Sequence, residues 1–448
     1  MSFLKRLFSS DGNHDILSAE ARVLSAEARV KWQKCLNLMP LGTQTASKSF
    51  KFSSLPPVFI EKARGNYLYT TDRRLILDYC CALGPNILGY DNKKVASAIK
   101  KQLKKGILFS FPTELELQLT EKIIKIIPNA EMVRFAKNGS DAVVCAVRIA
   151  RAFTGRQHIA SFGYHGFSSD FAITMMPDGI PSFNKELIHE FEFNNIIQLE
   201  NILSTKECAC VIMEPSALFE PTNYNVFKDN FLTEVRKLCD KYGALLIFDE
   251  IVTGFRYALG GCQERYGINA DLICLGKAIS NGMPLSAVAG KKKYMEMLEK
   301  DVFFSMTFGG ETLSLAAAIA TLEQLEKKDY DHIWELGNYL HARLIGVAEQ
   351  EGFLLDFKGI APRHYFGFNS HYKDADGMKH LFNQEMFRRG INFANVIYIN
   401  FAHSYKDIDF TVEIARECFQ VVRKNMSDID KALEFPRPQT IFKTRKEQ

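Results

Sequence analysis

Tryptophan is almost missing from the 448 residues, which hold only two, and the ten cysteines and ten histidines show no zinc-site spacing. The closest cysteines are Cys80-Cys81 and Cys208-Ala209-Cys210, and no HExxH pattern occurs. No metal site is therefore expected, and free thiols point to a reducing, cytoplasmic setting. No apolar run reaches the roughly 18 residues of a membrane-spanning helix. The stretch Met1 to Ser10 is too weakly apolar for a secretory signal. Membrane association is not expected. Charge of one sign is also scarce in excess: 56 basic residues stand against 52 acidic ones, a net of +4. That leaves no global field to hold nucleic acid, so no nucleic-acid partner is expected. No GxGxxG fingerprint follows an apolar strand, which disfavours a nicotinamide enzyme.

What is present is an ordinary globular composition, 47% hydrophobic and 24% charged. The length suits two or three domains of roughly 100–200 residues each, or one large domain with appendages. Residues 17–30 repeat one heptad, Leu17-Ser-Ala-Glu-Ala-Arg-Val23 and Leu24-Ser-Ala-Glu-Ala-Arg-Val30. These are strong helix formers, so residues 1–36 read as a leader helix or extension. Residues 37–111 read as the N-terminal part of a small domain, with two strands around a Gly65-Asn66 turn and a helix from Asn92 to Leu103. From residue 112 to 326, short apolar strands alternate with helices. Seven strands are expected, at Met132–Ala136, Ile159–Phe162, Phe171–Met175, Cys208–Met213, Ala244–Phe248, Leu272–Leu275 and Ala287–Ala289. That alternation argues for an α/β fold with a mostly parallel sheet flanked by helices. Residues 327–435 read as the C-terminal part of a smaller α+β domain, with a helix over Trp334–Gly352 and another over Ile408–Lys424, and 436–448 as a tail.

Two strand ends carry the chemistry. The run Gly243-Ala-Leu-Leu-Ile-Phe-Asp-Glu250 ends in two carboxylates, where open α/β sheets place ligands. Successive strand residues face opposite sides, so Asp249 and Glu250 serve different purposes. The run Asp271-Leu-Ile-Cys-Leu-Gly-Lys277 ends in a lysine, and loss of solvent there favours the neutral, nucleophilic amine. Alone, Asp249 is equally a structural ion pair or cap, and Lys277 equally a surface lysine. Together, 28 residues apart, they are the parts pyridoxal 5'-phosphate requires: a Schiff-base lysine, and an acid that keeps the pyridine nitrogen protonated. Asn138-Gly-Ser-Asp-Ala142 lies between a strand and a helix. Gly139 and Ser140 there offer N–H groups and a hydroxyl to a phosphate, or serve as a plain helix cap.

The chain resembles the class III (ω-type) aminotransferases of fold type I, and within them the glutamate-1-semialdehyde aminomutase-like branch. The resemblance runs from about Met39 to Asp430. It is most specific in Phe248-Asp-Glu-Ile-Val-Thr-Gly-Phe-Arg256 and Leu275-Gly-Lys-Ala-Ile-Ser-Asn-Gly-Met-Pro-Leu285. It implies a fold type I pyridoxal-phosphate transferase, its large domain built on a seven-stranded sheet and its small domain on the N- and C-terminal segments. It implies Lys277 as the Schiff-base lysine, Asp249 as the partner of the pyridine nitrogen, and Gly139 and Ser140 as the phosphate site. Tyr164 would stack on the cofactor ring with His165 beside it, and Glu214 would lie nearby. Thr307 would reach the phosphate of the other subunit, so a homodimer with shared active sites is implied.

Departures bear on the reaction. The aminomutase carries a glutamate in a C-terminal loop; Asn392 to His403 here contains no acid. Its Trp-Gly-Pro is Leu83-Gly84-Pro85, and a substrate-loop arginine is replaced by Lys48, with Thr45 in the same loop. A lysine keeps the charge but loses bidentate grip on a carboxylate. The expectation is an intermolecular aminotransferase, with glutamate as donor and a small or sugar-like carbonyl as acceptor, in surface polysaccharide or a related pathway. The runner-up is the aminomutase, and the remote alternative a silent scaffold. Lys48, Arg256, Arg363 and Arg388 are candidate cations for a substrate carboxylate or phosphate.

Overall fold

The computed structural model describes residues 26–49, 51, 58–216, 230–393 and 396–438. They divide into two compact units. The larger comprises Gly84–Leu88 and Asn92–Trp334; the smaller takes the segment before Gly84, Gly89–Asp91, and the chain from Glu335 onward.

The larger unit is built on a seven-stranded sheet. Its strands are β1 (Met132–Ala136), β2 (His158–Phe162), β3 (Ile188–Glu190), β4 (Cys208–Met213), β5 (Leu245–Glu250), β6 (Leu272–Leu275) and β7 (Ser286–Gly290). The spatial order is β1-β7-β6-β5-β4-β2-β3. The pairs from β3 through to β6 are parallel, while β7 runs antiparallel to both β6 and β1. Every residue of β4, β5, β6 and β7 is buried, which explains their unbroken apolar runs. The helices that matter for the site are α1 (Lys93–Leu103), α2 (Glu114–Ile126), α3 (Gly139–Thr154), α4 (Phe231–Tyr242), α5 (Gly261–Tyr266) and α6 (Thr312–Leu325). Helix α3 starts at a reciprocal cap between Asn138 and Asp141 and stops at Gly155, whose φ of 70° is left-handed. Between them Ala142, Cys145, Ala146, Val147 and Ile149 are buried in the core beneath the sheet. Each large aliphatic side chain buried this way contributes about 1.5–3 kcal/mol.

The smaller unit holds a four-stranded sheet of Ile60–Arg64, Tyr67–Thr70, Leu75–Asp78 and Ile391–Asn392, and a three-stranded one of Leu355–Ile360, Arg363–Phe368 and Val396–Tyr398. Its core is aromatic: Phe366 and Phe382 approach to 5.0 Å, and Phe382 and Phe419 to 4.7 Å.

Several expectations require correction. Phe171–Met175 is not a strand: Ser169–Ala172 forms a helical turn, and the seventh strand is Ile188–Glu190, paired in parallel with β2. A short apolar run buries equally well in either conformation, as Phe171 and Ile173 do in the core. The helix Lys93–Leu103 belongs with the larger unit, not the smaller. Its Gln102 donates to the Thr312 hydroxyl at 3.1 Å, fastening it to α6. The helix Ala375–Arg388 carries no clear amphipathic stripe, because every residue from Gly377 to Phe387 is buried, Lys379 and Glu385 included. Of the duplicated heptad, residues 17–25 lie outside the described residues, as do 439–448 of the tail; the described helix is Ala26–Leu38.

Among the described residues no disulfide links any of the ten cysteines, and eight of them are buried. No group of three or more metal-ligating side chains occurs among the described residues. No described helix is long and apolar enough to cross a membrane.

Candidate active site

Strand register brings the two chemical residues together. In the parallel pair β5–β6, Asp249 aligns with Cys274 and Glu250 with Leu275. Lys277 follows two residues beyond Leu275, so it and Asp249 sit at the same end of neighbouring strands. Lys277 has φ 43°, a left-handed conformation that costs a lysine free energy. The fold holds the side chain there despite that cost.

Asp249 is buried, and its Oδ2 lies 2.8 Å from Nδ1 of His165. Its Oδ1 accepts the Ile251 N–H at 3.1 Å. His165 is itself buried and packs edge-on to Phe171 at 5.0 Å, and among the described residues its Nε2 has no hydrogen-bond partner. A proton on Nδ1 satisfies this arrangement, donating to the Asp249 carboxylate. Tyr164, half-exposed, lies close to the same carboxylate: burial first, and then the charge of Asp249, push its phenol up.

Glu250, one residue on, points to the other face of the sheet. Its carboxyl accepts the Cys262 N–H at 2.8 Å, the Gln263 N–H at 3.2 Å and the Thr253 hydroxyl at 2.8 Å. It anchors the start of α5. Burial pushes its acid up to about 7, against the pull of those hydrogen bonds.

Ile251 connects the pieces. A Cβ on Gly139 would meet Ile251 Cγ2 at 3.0 Å, and one on Gly276 would meet Ile251 Cδ1 at 3.0 Å. The N-terminus of α3 and the residue before Lys277 thus close on one side chain, and a Cβ at either glycine would require Ile251 to shift by a few tenths of an ångström. Ser286 donates to the Asn138 carbonyl at 2.6 Å and holds the turn before α3. Ser140 Oγ accepts the Phe167 N–H at 3.2 Å, and a Cβ on Gly166 would collide with that hydroxyl at 2.0 Å. Glu214 follows β4, half-buried, with its N–H on the Phe162 carbonyl at 3.2 Å. The structure therefore gathers Lys277, Asp249, Gly139, Ser140, Tyr164, His165 and Glu214 at one end of the sheet. A helix N-terminus for an anion, a buried Asp–His pair and a strained lysine in one place fit pyridoxal phosphate.

A sequence profile described as Aminotransferase class-III matches residues 51–360. The chain belongs to the class-III aminotransferases. It is 35% identical over 427 residues to a glutamate-1-semialdehyde 2,1-aminomutase of Thermodesulfovibrio yellowstonii, covering 88% of this chain and 99% of that one. It is 34% identical over 407 residues to a 3-aminobutyryl-CoA aminotransferase of Cloacimonas acidaminovorans, covering 88% and 96%. Among solved structures, the FumI protein of Sphingopyxis sp. MTA144, described in its PLP internal aldimine form, superposes with a TM-score of 0.83 at 26% identity, covering 90% of this chain and 98% of that one. The seven-stranded, mostly parallel sheet is the fold type I architecture of this class-III family.

Thr307 is exposed on a turn beyond β7. Thr45 and Lys48 belong to the smaller unit, Thr45 immediately before the short helical turn Ala46–Lys48 and Lys48 exposed. Arg256 is fully buried and donates to the carbonyls of Val252, at 3.3 Å, and Gly84. It is held by backbone and is not open to a substrate. Arg388 pairs with Glu385 at 2.7 Å and Glu434 at 3.2 Å. Arg363 is buried, with its guanidinium 5.9 Å from the Tyr398 ring. Of the four candidate cations, only Lys48 is exposed. Ile251, Gly166 and Ser286 escaped the sequence reading. The second glycine of Gly163-Tyr-His-Gly166 was the available signal for one of them.

Proposed function

We propose that this chain is a pyridoxal-phosphate-dependent aminotransferase that moves an amino group from a donor, glutamate first among candidates, to a small or sugar-like carbonyl acceptor. The observation that carries the reading is the alignment of Asp249, held by His165, with Lys277 at the same end of adjacent parallel strands. Gly139 and Ser140 would hold the phosphate at the N-terminus of α3, and Tyr164 would flank the ring. Bound pyridoxal phosphate supplies an electron sink for the bonds at the substrate α-carbon. The chain's own groups do the rest. Asp249 keeps a negative charge where a ring N–H is to be held, and the Nδ1–H of His165 and the N–H of Ile251 fix its carboxylate plane. Lys277 Nζ carries the nucleophilic amine, then takes and returns the α-proton.

A homodimer belongs to the same reading. Phe111, Phe303 and Phe308 of the larger unit are 83%, 79% and 57% exposed, apolar surface that a second copy would cover. A cavity of about 370 Å³ runs along the edge strand β1 beside them, lined in part by Glu116, Phe135, Phe304 and Gly310. A second copy presenting Thr307 would cover this surface.

The aminomutase reading is supported by the 35% identical relative from Thermodesulfovibrio yellowstonii. Against it stand the acid-free segment Asn392 to His403 and Lys48 in the N-terminal loop. Visible absorption spectra of the purified protein, before and after glutamate, test the first reading, with Lys277→Ala as control. The expected result is a cofactor band that glutamate shifts in the wild type but cannot cycle in the variant. A protein that stays colourless with added pyridoxal phosphate overturns it. Conversion of glutamate-1-semialdehyde to 5-aminolevulinate without an external acceptor would favour the aminomutase.

A further inference from the structure

The start of α6 is tied to two separate pieces of the larger unit. Glu311 caps the helix: Oε1 accepts the Leu313 N–H at 2.7 Å, and Oε2 accepts the Ser314 N–H at 3.1 Å and the Ser314 hydroxyl at 2.6 Å. The same Oε2 holds the Lys137 ammonium at 3.1 Å, and Lys137 also donates to Ser314 Oγ at 3.2 Å. Both side chains are largely buried, at 15% and 11% exposure. The next residue, Thr312, sends its N–H to the Ile107 carbonyl at 2.9 Å and its hydroxyl to Gly106 and Ile107 at 3.0 and 2.8 Å.

Capping a helix needs an acceptor and no cation. Ordering a long lysine side chain costs up to about 2 kcal/mol of rotamer entropy. Lys137 is therefore more than the cap requires. It is the residue immediately before Asn138, whose carbonyl Ser286 holds and whose side chain forms the reciprocal cap of α3. One ion pair thus links the turn that would hold a phosphate to the residue ending the exposed 303–310 segment. Through Thr312 it also reaches Gly106 and Ile107, next to the exposed Phe109 and Phe111.

We propose that the Lys137–Glu311 pair is a positioning element that couples the anion cradle at Asn138–Ser140 to the two exposed aromatic segments, 103–111 and 303–310. This rests on the reading of that cradle as the cofactor's phosphate site. An anion at the α3 N-terminus immobilises the backbone of residues 137–140, and the ammonium carries that restraint to Glu311 and the start of α6. By linkage, ordering the aromatic segments also tightens the cradle.

Hydrogen exchange by mass spectrometry, with and without pyridoxal phosphate, tests this on wild type, Lys137→Met, Glu311→Gln and Lys137→Arg. In the wild type the cofactor should slow exchange at 138–142 and also at 104–109 and 303–312. In Lys137→Met the slowing should remain at 138–142 and vanish at 104–109, the segment that reports the pair because Thr307 of 303–312 would itself reach a phosphate across the dimer, with cofactor affinity about tenfold weaker by titration. Glu311→Gln should lose the distant response too; its amide has one acceptor oxygen where both carboxylate oxygens take N–H groups, so the apo-protein melting temperature should also fall, and the response is compared at a temperature where both proteins are folded. Lys137→Arg should restore it. Distant slowing that survives in both Lys137→Met and Glu311→Gln, or that is missing in the wild type, overturns the proposal. A wild-type protein that shows no cofactor band at all overturns the functional reading, and this inference with it.

Discussion

Asp249 and Glu250 are neighbours in sequence, both carboxylates, both buried, and both at the end of β5. They do opposite work. Asp249 meets His165 on the face where Lys277, Ser140 and Tyr164 gather, while Glu250 accepts three hydrogen bonds that anchor α5 on the other face. The alternation of a strand separates them, so one residue step divides chemistry from architecture. The donor sets also differ in kind. Asp249 meets one side chain and one backbone N–H, His165 and Ile251, while Glu250 takes two backbone N–H groups and a hydroxyl.

That contrast can be broken in measurable ways. The largest effect is expected from Asp249→Asn, which keeps the shape and removes the charge. Turnover should fall by roughly 10²–10³-fold, while the melting temperature of the apo-protein stays near wild type; a variant that unfolds instead would make Asp249 structural. Glu250→Ala should do the reverse. It strands the Cys262 and Gln263 N–H groups and the Thr253 hydroxyl, costing about 2–4 kcal/mol in denaturant unfolding. The cofactor spectrum of the folded fraction should be unchanged.

The third test is pH. Burial raises the Glu250 acid from 4.5 to about 7 in the folded protein. The folded state then binds this proton more tightly than the unfolded chain. Its contribution is complete below about 4.5 and is lost as pH rises through 7, by at most about 3 kcal/mol. Wild type should therefore lose stability relative to Glu250→Gln across that interval, and a constant difference between them would show that Glu250 does not titrate there. The smallest effect concerns the Asp249 partner. His165→Phe should lower kcat/KM about tenfold through a misoriented carboxylate. His165→Asn, which can donate from nearly the position of Nδ1, should recover much of it. Equal loss in both variants would mean that packing on Phe171 matters more than the hydrogen bond.

The sequence determined a good deal unaided. Apolar runs bounded by turns marked six of the seven strands of the larger sheet, four of which, β4 to β7, are buried at every residue. The same runs marked Asp249, Glu250 and Lys277 as strand-end residues, and alternation separated the two acids. Local pattern was silent wherever burial came from all sides or from a distant element. Ala375–Arg388 is enclosed all round and so lacks a polar face, and Phe171–Met175 would bury its apolar side chains as strand or as helix. Only the tertiary structure set His165 against an aspartate 84 positions away, and wedged Ile251 between Gly139 and Gly276. It alone assigned Arg256 to backbone carbonyls and joined Lys137 to a glutamate 174 positions on. Periodicity records which side of an element is covered. What covers it depends on strand order and register, which no local stretch of sequence encodes.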